Sequence, residues 1–111
     1  MIKWKEISDI AELSAIEQNS YQQPQLIFKH STRCSISAMA LERLNRNWKF
    51  TEHQITPYYL DLLQHRDISG KIAEKWQVHH ESPQILIIKN GECIHDASHS
   101  DISVSEIETV L

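Results

Sequence analysis

Short apolar runs bounded by polar residues or proline predict the β-strands of this chain. The run centred on Leu26-Ile27-Phe28 is apolar at consecutive positions, as expected of a strand that is buried on both faces. Asn90-Gly91 separates two later runs and is the strongest short signal for a β-hairpin. The predicted strands are Gln25–His30, Pro57–Leu62, Gln84–Lys89 and Glu92–Asp96, with a short extended piece at Ile2–Ile7.

Apolar residues at helical spacing predict four helices between and after these strands. The first begins at Ser8-Asp9, where Glu12 completes a capping box. The second follows Cys34, the third is capped by Asp67, and the fourth is capped by Ser103. The residues expected to pack inward are Ile10, Leu13 and Ile16 in the first helix, Ile36, Ala40, Leu44 and Trp48 in the second, Ile68, Ile72, Ala73 and Trp76 in the third, and Ile102 and Ile107 around the start of the fourth.

The order of these elements predicts the fold class. Strands that alternate with helices are parallel, because each helix carries the chain back to the same edge of the sheet. We therefore predict an α/β fold: a three-layer α/β/α sandwich with a central mixed sheet, a C-terminal antiparallel hairpin and a C-terminal helix. The 111 residues contain no internal repeat or linker, so we expect a single domain spanning residues 1–111.

Charge and composition narrow the classes of function. The net charge of −4 argues against general nucleic-acid binding. From Lys29 to Lys49 the chain has five basic residues and one acidic residue, so an anionic substrate would be favoured near this segment. The polar opening Lys3-Trp4-Lys5-Glu6 and the shortness of the apolar runs predict neither a signal peptide nor a membrane span. We therefore expect a cytoplasmic protein that does not bind membranes.

Cys34 is the residue most indicative of chemistry. It follows a predicted strand and precedes a predicted helix, so it should lie at a helix N-terminus. The unpaired N–H groups and the dipole of a helix favour a thiolate over a thiol at that position. Because a reducing cytoplasm disfavours structural disulfides, we predict that Cys34 is a catalytic nucleophile. The alternative is a small buried residue at the start of a helix.

The segment Cys34-Ser35-Ile36-Ser37 has the C-x-x-S spacing. In C-x-x-C redox proteins the second cysteine resolves the mixed disulfide that the first one makes. Ser37 cannot form that internal disulfide, so an external thiol must resolve the mixed disulfide. We expect Ser37 to support catalysis by donating a hydrogen bond to the thiolate.

Pro83 opens the strand that begins at Gln84, some fifty residues after Cys34. We predict that the Ser82–Pro83 peptide bond is cis. The backbone of Ser82 would then be free to pair with an extended substrate beside Cys34. The alternative is a trans proline that starts an edge strand.

The predicted topology also places the second cysteine and several histidines. Cys93 lies just beyond the hairpin turn, at the end of the sheet opposite Cys34, and is expected to be a strand residue and not a resolving thiol. His99 and His30 should lie near the end of the sheet that carries Cys34, as proton donors or as solvated loop residues. His79-His80 are adjacent and point apart, so we predict no metal site.

Three segments resemble the monothiol bacilliredoxins, the YtxJ-like branch of the thioredoxin-like superfamily. They are His30–Ala40, His80–Gln84 and Ala97–Ser103, and the resemblance extends from about Trp4 to the last helix. It implies a thioredoxin-like fold, Cys34 as nucleophile, and bacillithiol as the low-molecular-weight thiol. The chain departs from the usual motif at Ser35, where proline is typical of the family.

The resemblance implies a monothiol disulfide oxidoreductase that removes bacillithiol from proteins S-bacillithiolated under oxidative stress. Client proteins, bacillithiol as co-substrate and another redoxin as possible reductant are the expected partners, with no tightly bound cofactor. Bacillithiol carries a malate group, so Arg33 or Lys29 is expected to pair with its carboxylates. Ser82, Pro83 and His99 complete the predicted substrate site.

Two other functions are also consistent with the sequence. C-x-x-S redoxins that resemble monothiol glutaredoxins can hold an iron–sulfur cluster between two chains, each of which gives one cysteine. The chain would then be a cluster carrier. A redox-inert interaction domain on the same scaffold is the second alternative, because a fold does not by itself determine function.

Overall fold

The computed structural model describes residues 2–111, and Met1, the first residue of the predicted domain, lies outside them. The elements follow the predicted order. The strands are β1 (Lys5–Glu6), β2 (Gln25–His30), β3 (Thr56–Asp61), β4 (Gln84–Lys89) and β5 (Glu92–Ser98). The helices are α1 (Glu12–Asn19), α2 (Ser35–Asn47), α3 (Arg66–Trp76) and α4 (Val104–Val110), with a short 3₁₀ turn at His99–Asp101.

The five strands form one mixed sheet in the order β1-β3-β2-β4-β5. The first three are parallel, while β4 runs antiparallel to β2 and to β5. In the middle of the sheet Phe28 lies between Tyr59 of β3 and Ile85 of β4. This topology confirms the predicted α/β class with a central mixed sheet and a C-terminal hairpin.

Two apolar cores cover the two faces of the sheet, which gives the three predicted layers. Leu26 and Phe28 face the core formed with α2 and α4, and Ile27 faces the core formed with α1 and α3. Every residue of β2 is buried. This central strand therefore fixes the position of its carboxyl end, where the segment leading to Cys34 begins.

Several helix starts match the sequence and others differ. Ser103 caps α4 by accepting a hydrogen bond from Glu106 N, as expected of an N-cap serine. The N-cap of α3 is His65, and Asp67 lies in the first turn, so the prediction for Asp67 was wrong by two residues. Ile10 lies in the turn before α1 and is 41% exposed, so it does not belong to the inward face of that helix.

The inward face of α2 also differs from the prediction. Ala40 and Leu44 are buried as expected, but the third buried residue is Ser37, and Ile36 is 53% exposed. Successive residues of an α-helix are rotated by about 100°, so a row spaced by four drifts steadily around the helix. The buried face is centred near Ser37 and Leu44, and Ile36 lies well to one side of it.

The hairpin turn is anchored to the end of α1. Asn90 and Gly91 both have positive φ, 53° and 82°, as the predicted two-residue turn requires. Asn90 N donates to Ser20 O, and Gly91 N donates to Ser20 Oγ, each at 2.9 Å. Tyr21 lies so close to Gly91 that a side chain at position 91 would collide with the Tyr21 ring.

Across residues 2–111, no helix combines the length and the apolar character that crossing a membrane requires.

Candidate active site

Cys34 is the N-cap residue of α2, as predicted, with extended backbone angles of −107° and 122°. Its N–H donates to Ser31 O at 3.1 Å, and its carbonyl accepts from Ala38 N at 3.0 Å. The thiol is free and partly exposed. The N-cap position lies at the end of the helix with the unpaired N–H groups, where a negative charge is favoured.

Ser37 is fully buried and has partners other than the predicted one. Its Oγ lies 2.6 Å from His30 Nδ1 and accepts a hydrogen bond from Ser31 N at 3.1 Å. Within residues 2–111 it makes no hydrogen bond to Cys34, so the predicted donation to the thiolate is absent. Ser37 instead ties the turn that precedes Cys34 to the body of α2.

His30 is a core residue and not a solvated loop histidine. Its ring lies 5.5 Å from the rings of both Phe28 and Tyr59, measured between centroids, and the residue is 5% exposed. Burial lowers the pKa of His30, against an opposing effect of the Asp61 carboxylate. The neutral ring of His30 therefore contacts Ser37 Oγ beneath the turn that leads to Cys34.

Replacing Ser37 by alanine is expected to lower the free energy of unfolding by about 1–3 kcal/mol. The change removes the oxygen shared by Ser31 N–H and His30 Nδ1, and leaves the partly buried N–H and the buried ring nitrogen without that partner. Urea unfolding measures the loss. Ser35→Ala is the matched control, because Ser35 is exposed on the same helix turn. Equal stability of the two variants would contradict the role assigned to Ser37.

The Ser82–Pro83 peptide bond is cis, as predicted. Gln84, the first residue of β4, pairs with Lys29 near the carboxyl end of β2. The Ser82–Pro83 segment and the turn leading to Cys34 therefore lie at the same edge of the sheet. In the part of the chain that the structure describes, neither backbone group of Ser82 has a hydrogen-bond partner, and its buried Oγ is also unpaired. This backbone is free to pair with an extended substrate.

His99 and Arg33 differ in how strongly the fold holds them. His99 N donates to Pro83 O at 3.1 Å, and its Nε2 lies 4.0 Å from Glu81 Oε1. The backbone of His99 thus lies at the same edge of the sheet as Pro83, while its half-exposed ring faces the Glu81 carboxylate.

Arg33 is exposed, and among residues 2 to 111 its side chain has no salt-bridge or hydrogen-bond partner. Its guanidinium is free to meet an anion next to Cys34.

Lys29 does not reach the surface, so the prediction that it could pair with a substrate carboxylate was wrong. The residue is 0% exposed, and its Nζ donates to Ser69 O of α3. Arg33 is left as the cation adjacent to Cys34. The error had a visible signal, because Lys29 alternates with Ile27 along a strand that is buried on both faces.

Cys93 lies at the far end of the sheet, as predicted. It pairs with Ile88, which pairs with Gln25 at the start of β2, whereas Cys34 follows the end of that strand. Burial raises the pKa of the Cys93 thiol, which lies 3.3 Å from His95 O. Cys93 is therefore placed as a strand residue, away from the candidate nucleophile.

The adjacent histidines diverge as predicted. The His79 ring is 90% exposed and lies 3.8 Å from Glu81 Oε2, whereas His80 Nδ1 lies 3.3 Å from Lys29 Nζ. No group of three metal-binding side chains comes together within the described residues 2–111.

Comparisons with known proteins agree with this geometry. The sequence model of the family described as monothiol bacilliredoxin BrxC matches residues 5–107. A solved structure described as having a thioredoxin fold is 37% identical, with a TM-score of 0.79 over 94% of this chain and 89% of that one. A thioredoxin from Malassezia sympodialis is 14% identical, with a TM-score of 0.75 over 99% of this chain and 89% of that one.

A thioredoxin from Fasciola hepatica is 12% identical, with a TM-score of 0.71 over 96% of this chain and 94% of that one. The likeness to these two distant thioredoxins concerns the fold alone. The same fold and the match over residues 5–107 support a thiol redox role for the chain.

Proposed function

The chain belongs to the monothiol bacilliredoxin BrxC family, and from that premise we propose that it removes bacillithiol from S-bacillithiolated proteins through a mixed disulfide on Cys34. The observation that carries the proposal is a free thiol at the N-cap of α2, at the same edge of the sheet as an unpaired Ser82 backbone, with a buried serine where a resolving cysteine would stand. The proposed partners are client proteins, bacillithiol as co-substrate and another redoxin as reductant. The thiol cycle suits the reducing cytoplasm.

The first step is a thiol–disulfide exchange. The Cys34 thiolate attacks the bacillithiol sulfur of the client's mixed disulfide, and the bond between the two sulfurs of that disulfide breaks. The client leaves as a thiolate and takes up a proton from water. Cys34 then carries bacillithiol in a new mixed disulfide, so no net oxidation or reduction has occurred.

The second step needs a thiol from outside the chain. Ser37 has no sulfur, and Cys93 lies about 15 Å or more away along the sheet, by the rise of β2 and β4. A disulfide requires Cα atoms within about 7 Å. A second bacillithiol, or the thiol of another redoxin, therefore attacks the bacillithiol sulfur on Cys34 and releases the Cys34 thiolate.

Two surfaces support recognition of the substrate. The free N–H and carbonyl of Ser82 suit the extended backbone of a bound peptide or the amide of bacillithiol. On the other side, the first two turns of α2 expose Ile36 by 53% and Met39 by 62%, which offers a client protein apolar surface next to Cys34.

Arg33→Ala is expected to slow turnover of a bacillithiolated client by roughly two- to fivefold, the usual size of an exposed ion pair. Arg33 is exposed next to Cys34, where its guanidinium would meet the malate carboxylates of bacillithiol. Steady-state kinetics with the client gives the measurement. Arg46→Ala is the matched control, because Arg46 is exposed in the last turn of the same helix. Equal rates for wild type and Arg33→Ala would remove Arg33 from the site.

The experiment that tests the function is intact mass spectrometry of the reduced protein mixed with a client protein that carries one bacillithiol. We expect the client to lose one bacillithiol while the chain gains one. If neither mass changes, the proposed transfer is wrong.

A further inference from the structure

Lys29 is a buried cation without a buried anion. It is 0% exposed, and within residues 2–111 no carboxylate forms a salt bridge with it. Its Nζ donates to Ser69 O at 3.2 Å and lies 3.3 Å from His80 Nδ1, while Ser69 Oγ lies 3.1 Å from the same nitrogen. A buried charge held by neutral groups alone is costly, so its placement calls for a reason beyond packing.

These contacts join β2 and α3 to the segment 77–83, which leads into β4. His80 stands two residues before Ser82, whose backbone is unpaired at the candidate active site. A second bond from Gln84 Nε2 to His79 O, at 2.9 Å, holds the same segment from the β4 side. The segment carrying Ser82 is therefore fixed on the side of the sheet where Lys29 lies.

The chemistry of this contact fixes the proton on His80. An ammonium group has donors only, so His80 Nδ1 must accept and the ring proton must lie on Nε2. Burial, and then the charge of Lys29, lower the pKa of His80, and His79 and Arg66 act in the same direction. Glu81 opposes them. Protonation of Nδ1 would replace the acceptor by a second cation and break the contact.

We propose that Lys29 is a positioning residue for the Ser82–Pro83 segment, which it holds against β2 and α3 through Nδ1 of His80. The assignment rests on the proposed function, in which Ser82 receives the substrate. Acid would release the segment by protonating His80. Loss of the Lys29 donor would loosen the segment at any pH, because the Ser69 hydroxyl would then hold Nδ1 without the ammonium group.

The test compares Lys29→Met with the wild type by NMR and by kinetics. In the wild type we expect the Nε2–H tautomer of His80 and a His80 pKa below the ordinary value of about 6.5. In Lys29→Met we expect that pKa to rise, the Ser82 amide resonance to shift, and bacillithiol transfer from the client to slow by about tenfold. Reaction of Cys34 with a small aromatic disulfide should not change, and Lys71→Met is the control at an exposed lysine of α3.

A second variant tests the role of the acceptor. In His80→Asn the amide oxygen can replace Nδ1 and cannot be protonated, so transfer near pH 7 should persist and the acid-induced shift of the Ser82 amide should vanish. An unchanged His80 pKa and an unmoved Ser82 amide in Lys29→Met would overturn the inference. These NMR results need no bacillithiol. If the wild type fails to transfer bacillithiol, the proposed function fails separately.

Discussion

Cys34→Ser is expected to abolish transfer of bacillithiol from a client, by at least about 100-fold, because a neutral hydroxyl is a far weaker nucleophile than a thiolate. Cys34 is the partly exposed cysteine at the N-cap of α2 and the first residue of the C-x-x-S motif. Intact mass of both proteins over time measures the loss. The variant should keep its fold, since the Cys34 thiol makes no capping hydrogen bond.

Cys93→Ser is the matched control for this variant. Cys93 is the other thiol of the chain, and its sulfur lies against His95 O at the far end of the sheet. We expect transfer within about twofold of the wild type. Loss of transfer in Cys93→Ser with retention in Cys34→Ser would reverse the two roles and refute the proposed mechanism.

Lys29→Met is expected to change how stability depends on pH. Burial lowers the pKa of Lys29 to about 8 in the folded chain, against about 10.4 for a free lysine. At pH values between these two pKa values, the unfolded wild type binds more protons than the folded wild type. The free energy of unfolding of the wild type therefore rises with pH over this range. The rise attributable to Lys29 is roughly 1–3 kcal/mol, complete near pH 10.5 and absent below pH 8. Lys29→Met lacks it.

Urea unfolding of both proteins at pH 7 to 10 measures this difference. Titration of Cys93 and Tyr59, whose pKa values burial raises, affects both proteins and cancels in the comparison. Lys71→Met is the control, because Lys71 is an exposed lysine on α3. Parallel pH profiles for wild type and Lys29→Met would show that Lys29 titrates as an ordinary lysine.

Elements with strong local signals could be predicted from the sequence. The bounds of β2 and β4 agree with the prediction, because a run of apolar residues between polar ones specifies a buried strand. The turn at Asn90-Gly91 and the cap at Ser103 also formed as predicted. In each case the signal lies within a few neighbouring residues.

The errors involved contacts between residues distant in the sequence. Lys29 is separated by 40 positions from Ser69 and by 51 from His80, and no local pattern indicates that these groups meet. The placement of Ser37 depended on which side of α2 faces the sheet, and a row of apolar residues spaced by four suggested a neighbouring side.

The candidate site was predicted better in position than in detail. Topology alone brings Cys34 and Pro83 to one edge of the sheet, since a strand that runs antiparallel to β2 must start where β2 ends. The bonds among Ser37, His30 and Ser31 depend on side-chain packing beneath that edge. The alternation of Leu26, Phe28 and His30 on one face was the available signal for a buried histidine.

The burial of Ser37 has an evolutionary consequence. A single nucleotide change turns several of the serine codons into cysteine codons, and a cysteine at position 37 would create the C-x-x-C motif of dithiol redoxins. At this position, however, sulfur is a poor hydrogen-bond acceptor and a weak donor, so Ser31 N–H and His30 Nδ1 would lose their shared partner. A cysteine at position 37 would therefore weaken both contacts, so the packing beneath the turn disfavours a second thiol here.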